Sequence, residues 1–199
     1  MITDRVVVSA IEPEDIPTIV RWRNAPEIYA GFVEYEPLNT VGQRMFLERL
    51  AQDKTRRLWL ISARDSSRRP PYEKQNRPTP DAIPIGTIGL IDIDPRNRRC
   101  ELGPLFVGDH DYRRFDIVAD AELLVLDHCF NHLGLHKVYA YVTDSNRRVV
   151  RLHTSLGFEE EALLREHTFG GGSFGDLHVL SMLQHEYARR YPTSASPRT

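Results

Sequence analysis

The chain has 199 residues, 26 Lys and Arg against 28 Asp and Glu (formal net charge −2), and 41% hydrophobic residues. That length predicts one domain over 1–190 with a disordered tail at 191–199, and the charge balance gives no global field for nucleic acid. No apolar run approaches the roughly 20 residues of a membrane helix, and acidic residues interrupt the start, MITDRVVVSAIEPED, where a secretory signal carries its apolar core; the expected setting is the cytoplasm, with no membrane partner.

Residues 5–8 read as a first strand. Glu12-Pro13-Glu14-Asp15 opens a helix, since acidic side chains suit its positive N-terminal end. Ile16, Ile19, Val20 and Trp22 fall on its buried side at helical spacing, and Pro26 follows its end. A second helix starts at Thr40, with Phe46, Leu47 and Leu50 as its apolar stripe. Residues 58–61 form a short buried strand. Residues 64–82, rich in Pro, Ser and Arg, have no periodicity and read as a solvated loop, or as a flap with a basic lip over a substrate.

Residues 83–94 read as the next strand, 95–98 as a hairpin turn and 99–107 as its partner. A helix over 116–133 repeats apolar residues at Ile117, Ala121, Leu124, Val125 and Cys129, and Gly134 stops it. Residues 136–143 alternate as a strand. A helix over 146–156 ends at Gly157. Two late strands, 160–169 and 177–183, flank Gly170-Gly171-Gly172-Ser173-Phe174-Gly175. The order implies an α+β, mixed sheet flanked by helices. Cys100 and Cys129 read as buried thiols, with no metal-ligand spacing.

Four stretches, in this order, resemble the GNAT N-acyltransferases, especially their ribosomal-protein-acetylating branch: IEPEDIPTIVRWRNAPEI; IPIGTIGLIDID with RRCELG; SNRRVVRLHTSLGFEEE, an Asn with Gly-Phe eleven residues on; and EHTFGGGSFGDLHVLSML. The resemblance implies a mostly antiparallel mixed sheet with a V-shaped splay between its two central strands. It implies acyl transfer from acetyl-CoA, or another acyl-CoA, to the primary amine of a small molecule, an amino sugar or a protein N-terminus, with no metal, by a monomer or homodimer. Two alternatives stay open. One is a transferase of this fold using an aminoacyl-tRNA or carrier-protein thioester, with the Arg-rich loops as contacts. The other is a binding domain without catalysis.

In that family the splayed strand, here with Leu105, Phe106 and Val107, offers backbone groups to pantetheine. The loop of Arg113, Arg114, Phe115, Asp116 and Ile117 aims N–H groups at the pyrophosphate, at a helix N-terminus where anions are favoured. The family's glycines fall on Arg114 and Asp116. A carboxylate about 6 Å from one phosphate charge costs about 3 kcal/mol at an effective permittivity of 20. Arg113 and Arg114 offset this, or Asp116 caps the helix and points away.

Glu101, at the start of the splay, is the candidate base, or else an exposed strand residue paired with nearby arginines. His153 stands where many relatives carry the tyrosine that protonates the leaving thiolate; histidine gives a proton near neutral pH. Asn146 reads as a helix N-cap, beside the cofactor in the family, and one of Arg147, Arg148 and Arg151, with Arg151 the first choice, as a contact to the 3′-phosphate; otherwise the run is a solvated helix face. Tyr29, Phe32 and Tyr35, with Asp176 and His178, are candidate acceptor-binding residues. Each also has an ordinary packing or turn role.

Overall fold

A computed structural model describes residues 1–29, 36–65 and 82–192. Phe32, Tyr35, most of the Pro- and Arg-rich segment and nearly all of the expected tail lie outside these residues. Strands β1 (Val6–Ser9), β2 (Arg57–Ala63), β3 (Ile83–Asp94), β4 (Arg99–Leu102), β5 (Phe106–Val107), β6 (Lys137–Thr143), β7 (Glu159–Gly170) and β8 (Ser173–Leu183) form one sheet. Its order is β1-β2-β3-β4-β6-β8-β7, with β5 added to β3. All neighbours are antiparallel except β4 and β6.

Helices α1 (Ile16–Arg23), α2 (Pro26–Tyr29), α3 (Thr40–Gln52), α4 (Phe115–Asp127), α5 (Arg147–Leu156) and α6 (Gln184–Arg190) cover it. The strand period of two splits the core. Ile61 joins the larger cluster with Ile117, Ala121 and Val125 of α4, Leu152 and Leu156 of α5 and Tyr187 of α6. Leu60, its neighbour, joins Ile19 and Trp22 of α1, Ile28 of α2 and Phe106. The sheet therefore lies between two helical layers. Helix α6 is a feature the sequence reading did not register; its Tyr187 ring packs 4.9 Å from Phe130. None of the described helices is long and apolar enough to cross a membrane.

Local chemistry fixes the ends. The 3₁₀ turn Pro13–Asp15 precedes α1, and Asp15 accepts from the Glu12 N–H at 2.9 Å. Asn39 caps α3 through the Gly42 N–H. Gly157 closes α5 at φ +102°, a conformation glycine adopts freely. The expected helix to Leu133 continues past α4 as a π turn, His128–His132. Gly108 has a different reason to be glycine: a Cβ there would stand 2.1 Å from Trp22, so α1 packs directly on backbone.

The expected strand over 99–107 is broken. β4 pairs with β6 only at Arg99–Lys137, Cys100–Val138 and Glu101–Tyr139. Gly103-Pro104 then interrupts the ladder, because proline has no N–H to give. β5 resumes against β3 alone, at Gly86–Val107 and Thr87–Phe106. β6 runs on to Thr143, paired there with β8 only. The two central strands diverge from Glu101 onward, and the splay is open.

Candidate active site

The divergence forms a cleft of about 1280 Å³. Glu101, Leu105, Phe106, Val107, Arg113, Phe115, Asn146 and His153 line it, eight of the residues singled out from sequence. Glu101 sits at the apex of the wedge. Burial pushes its carboxyl up to about 7, Asp92 adds to the rise and Arg56 opposes it. A half-buried carboxylate that accepts a proton near neutrality is a fitting base for an amine.

The wider end is basic. Arg113 bonds the Val107 carbonyl through Nε at 3.1 Å and approaches Glu27 at 3.8 Å. Arg148 donates to the Arg113 carbonyl and so ties α5 to the loop. Behind them stands the N-terminus of α4, whose first N–H groups have no partner within the helix. Its N-cap residue, Arg114, makes no capping bond with its side chain. An open strand edge, a helix N-terminus and two arginines fit the amide-like arm and phosphates of CoA.

Asp116 does not face this end. Arg114 at 2.9 Å and Arg5 at 3.1 Å hold its carboxylate outside the cleft lining. The hydrogen bond from Arg114 comes first in keeping it below the usual carboxylate range. The charge that seemed hostile to a pyrophosphate is thus answered within the protein. Asp116 is not the helix cap either; it lies one residue inside α4.

Other expected residues fall elsewhere. Ile117 is buried in the main core. Arg151 is exposed, and Arg148, three residues earlier, lines the cleft instead. Asn146 occupies the N-cap of α5 but makes no capping bond with its side chain. Tyr29 ends α2, outside the lining. Asp176 accepts from the Glu166 N–H at 2.8 Å, holding a bulge in β7. His178 spans Glu160 at 2.8 Å and Asp144 at 3.1 Å. Asp176 and His178 therefore brace the sheet, and of the expected acceptor residues that are described, Tyr29, Asp176 and His178, none lines the cleft.

His153 is buried, its Nδ1 3.1 Å from Glu122 Oε2 on α4. Its ring also packs 4.9 Å from Phe158. Sequence reasoning missed Glu122. A carboxylate within the apolar run of 121–126 was its only signal.

Residues 5–159 match the Acetyltransferase (GNAT) domain model. The chain belongs to this family. Among relatives of the GNAT chain, an uncharacterized N-acetyltransferase p20 of Bacillus licheniformis is 27% identical over 94% of this chain and 97% of its own. The spermidine N(1)-acetyltransferase of Vibrio cholerae is 33% identical over 53% of this chain and 60% of its own. The GNAT fold is shared with the crystal structure of spermidine N-acetyltransferase from Vibrio cholerae in complex with CoA and spermine. That match has a TM-score of 0.76 and 23% identity, over 93% of this chain and 99% of that one.

Proposed function

We propose that this GNAT chain transfers an acetyl group from acetyl-CoA to the primary amine of a small molecule. The observation that carries the reading is Glu101, with a carboxyl near 7, at the apex of the open wedge between β4 and β6. Acetyl-CoA supplies the acyl group as a thioester. Glu101 takes a proton from the amine, directly or through water. His153, oriented by Glu122, is the donor to the sulfur side. The splayed strands and the α4 N-terminus hold the donor in line, which itself lowers the barrier.

The spermidine-acetylating relative supports a small acceptor over a ribosomal protein, so the branch suggested by the motifs is the secondary reading. One spermidine N-acetyltransferase of the same fold is described as dodecameric. For this chain we expect a monomer or homodimer, as light scattering would show.

Two measurements test the function. Acetyl-CoA at about 100 times its dissociation constant stabilises the fold by about 2.7 kcal/mol, read as a thermal shift. Thiol release should then depend on an added amine. No shift with acetyl-CoA, beside salt-sensitive binding of tRNA, would point to the other donor. Absence of both would leave a binding domain.

A further inference from the structure

The acceptor end of the cleft is built from β2, β3 and α3. Phe46 and Leu50 of α3, Leu58 of β2 and Ile91 of β3 give it an apolar floor and wall. At its rim stand Arg56 and Arg57. The sheet register puts Arg56 in place and turns Arg57, one residue on, toward the opposite face with Leu90 and Trp59. Ile91 pairs with Glu101 and Leu90 with Arg57, so Arg56 precedes Arg57 into the row that holds Glu101. Neighbouring strands are about 4.8 Å apart, which sets Arg56 and Glu101 about 10 Å apart along the row, within reach of an arginine side chain. The charge of Arg56 is felt at Glu101.

Neither arginine is strongly neutralised. Arg56 Nε lies 3.9 Å from Asp53, both side chains well exposed. Such an exposed pair holds its arginine weakly. Arg57 Nη1 is bonded to the backbone carbonyls of Asp53 and Arg56. An adjoining recess of about 520 Å³ shares both arginines and adds Lys54, with Asp53 as its one carboxylate among the described residues. Along the main cleft the described acidic side chains are Glu27, which approaches Arg113, and Glu101. Among the described residues a polycation finds few carboxylates there and several like charges.

We propose that the acceptor is an amine that also carries an anionic group, a carboxylate or a phosphate, held by Arg56 while its nitrogen lies beside Glu101. Arginine suits either anion through paired N–H groups. The apolar wall takes an aliphatic or aromatic portion of the same molecule. This rests on the acetyl-transfer reading. In the step, the neutral amine nitrogen forms a bond to the acyl carbon and the carbon–sulfur bond breaks. The nitrogen proton passes to Glu101 and the sulfur gains one, giving an amide and a free thiol.

The test compares matched amines under one acetyl-CoA concentration, with thiol release as the readout. Phenylalanine is set against phenethylamine, phosphoethanolamine against ethanolamine, and spermidine stands for polycations. Either anionic amine should exceed its neutral counterpart at least tenfold in kcat/KM, and the better pair names the anion. Arg56→Gln should cut that ratio at least tenfold, mainly through KM. The ratio cancels any change in Glu101 common to both acceptors. A wild-type preference for spermidine or for the neutral amines, or an unchanged ratio in the variant, overturns the proposal. If acetyl-CoA still shifts the melting temperature in that case, the acetyl-transfer reading survives alone. If acetyl-CoA gives neither a shift nor thiol release with any amine, both readings fall.

Discussion

Glu122 of α4 and His153 of α5 meet at 3.1 Å with side chains 0% and 3% exposed, so one polar contact pins the two helices behind the cleft. Glu122 Oε1 has no hydrogen-bond partner among the described residues. Removing either partner leaves the other buried without compensation. Glu122→Ala should therefore cost about 1–3 kcal/mol, the penalty of leaving a buried hydrogen-bonding group unpaired. Glu122→Gln, which keeps a bond to the imidazole, should cost less. Urea unfolding of both variants checks this. Equal losses would mean the contact contributes only shape.

Glu101 predicts the acid limb of the rate profile. A base with a carboxyl near 7 must lose its proton to act, so turnover should rise through about pH 7 and level off above it. Glu101→Gln should lower kcat by about 10² to 10⁴ and abolish the limb, with donor affinity nearly kept. A limb that persists in the variant assigns it to another group.

His178 makes a prediction of the opposite sign. Burial lowers its pKa, but hydrogen bonds to Glu160 and Asp144 outweigh burial and the net shift is upward. Its contribution to stability is then fully present below its unfolded value, about 6.5, and is lost as pH rises through the folded value. His178→Gln should depress the melting temperature more at pH 6 than at pH 9. Melting curves at both values suffice, and an equal depression would remove the charge from the account.

The phosphate end separates two neighbouring arginines. Arg148→Gln should weaken CoA roughly tenfold or more, since charged hydrogen bonds contribute about 1.5–3 kcal/mol, and it should flatten the salt dependence. Arg151→Gln should leave affinity near wild type. Titrations at two ionic strengths distinguish them. The reverse ranking would restore the contact suggested by the motif.

The sequence signals worked where chemistry was local. Residues 83–94 are a strand with the bounds the pattern suggested, and Gly157 ends its helix as a glycine stop should. Glu101 was legible because a strand start can be located along the chain. Arg56 was not, since only the register of three strands puts it in the row of Glu101. Glu122 lies 31 residues from His153, and helical periodicity cannot pair residues on two helices. His178 falls within the expected strand 177–183 and Asp176 just before it, yet alternation says which side a residue takes, not that a bulge and two carboxylates already occupy it. Asp116 looked hostile because Arg5 is 111 residues away in sequence and touches it only once β1 lies beside α4.

The short parallel seam between β4 and β6 also has a mechanical meaning. Three residue pairs join a leaf made of β1 to β5 to a leaf made of β6 to β8, and helix α4 packs against both β1 and α5. Few backbone bonds cross that seam, and the larger core holds the two leaves together behind it. A donor lying in the wedge would act as an added rung and lock them into one plate. Amide exchange should slow most along β5 and the far end of β6, so that seating the first substrate stiffens the surface on which the second must be aligned.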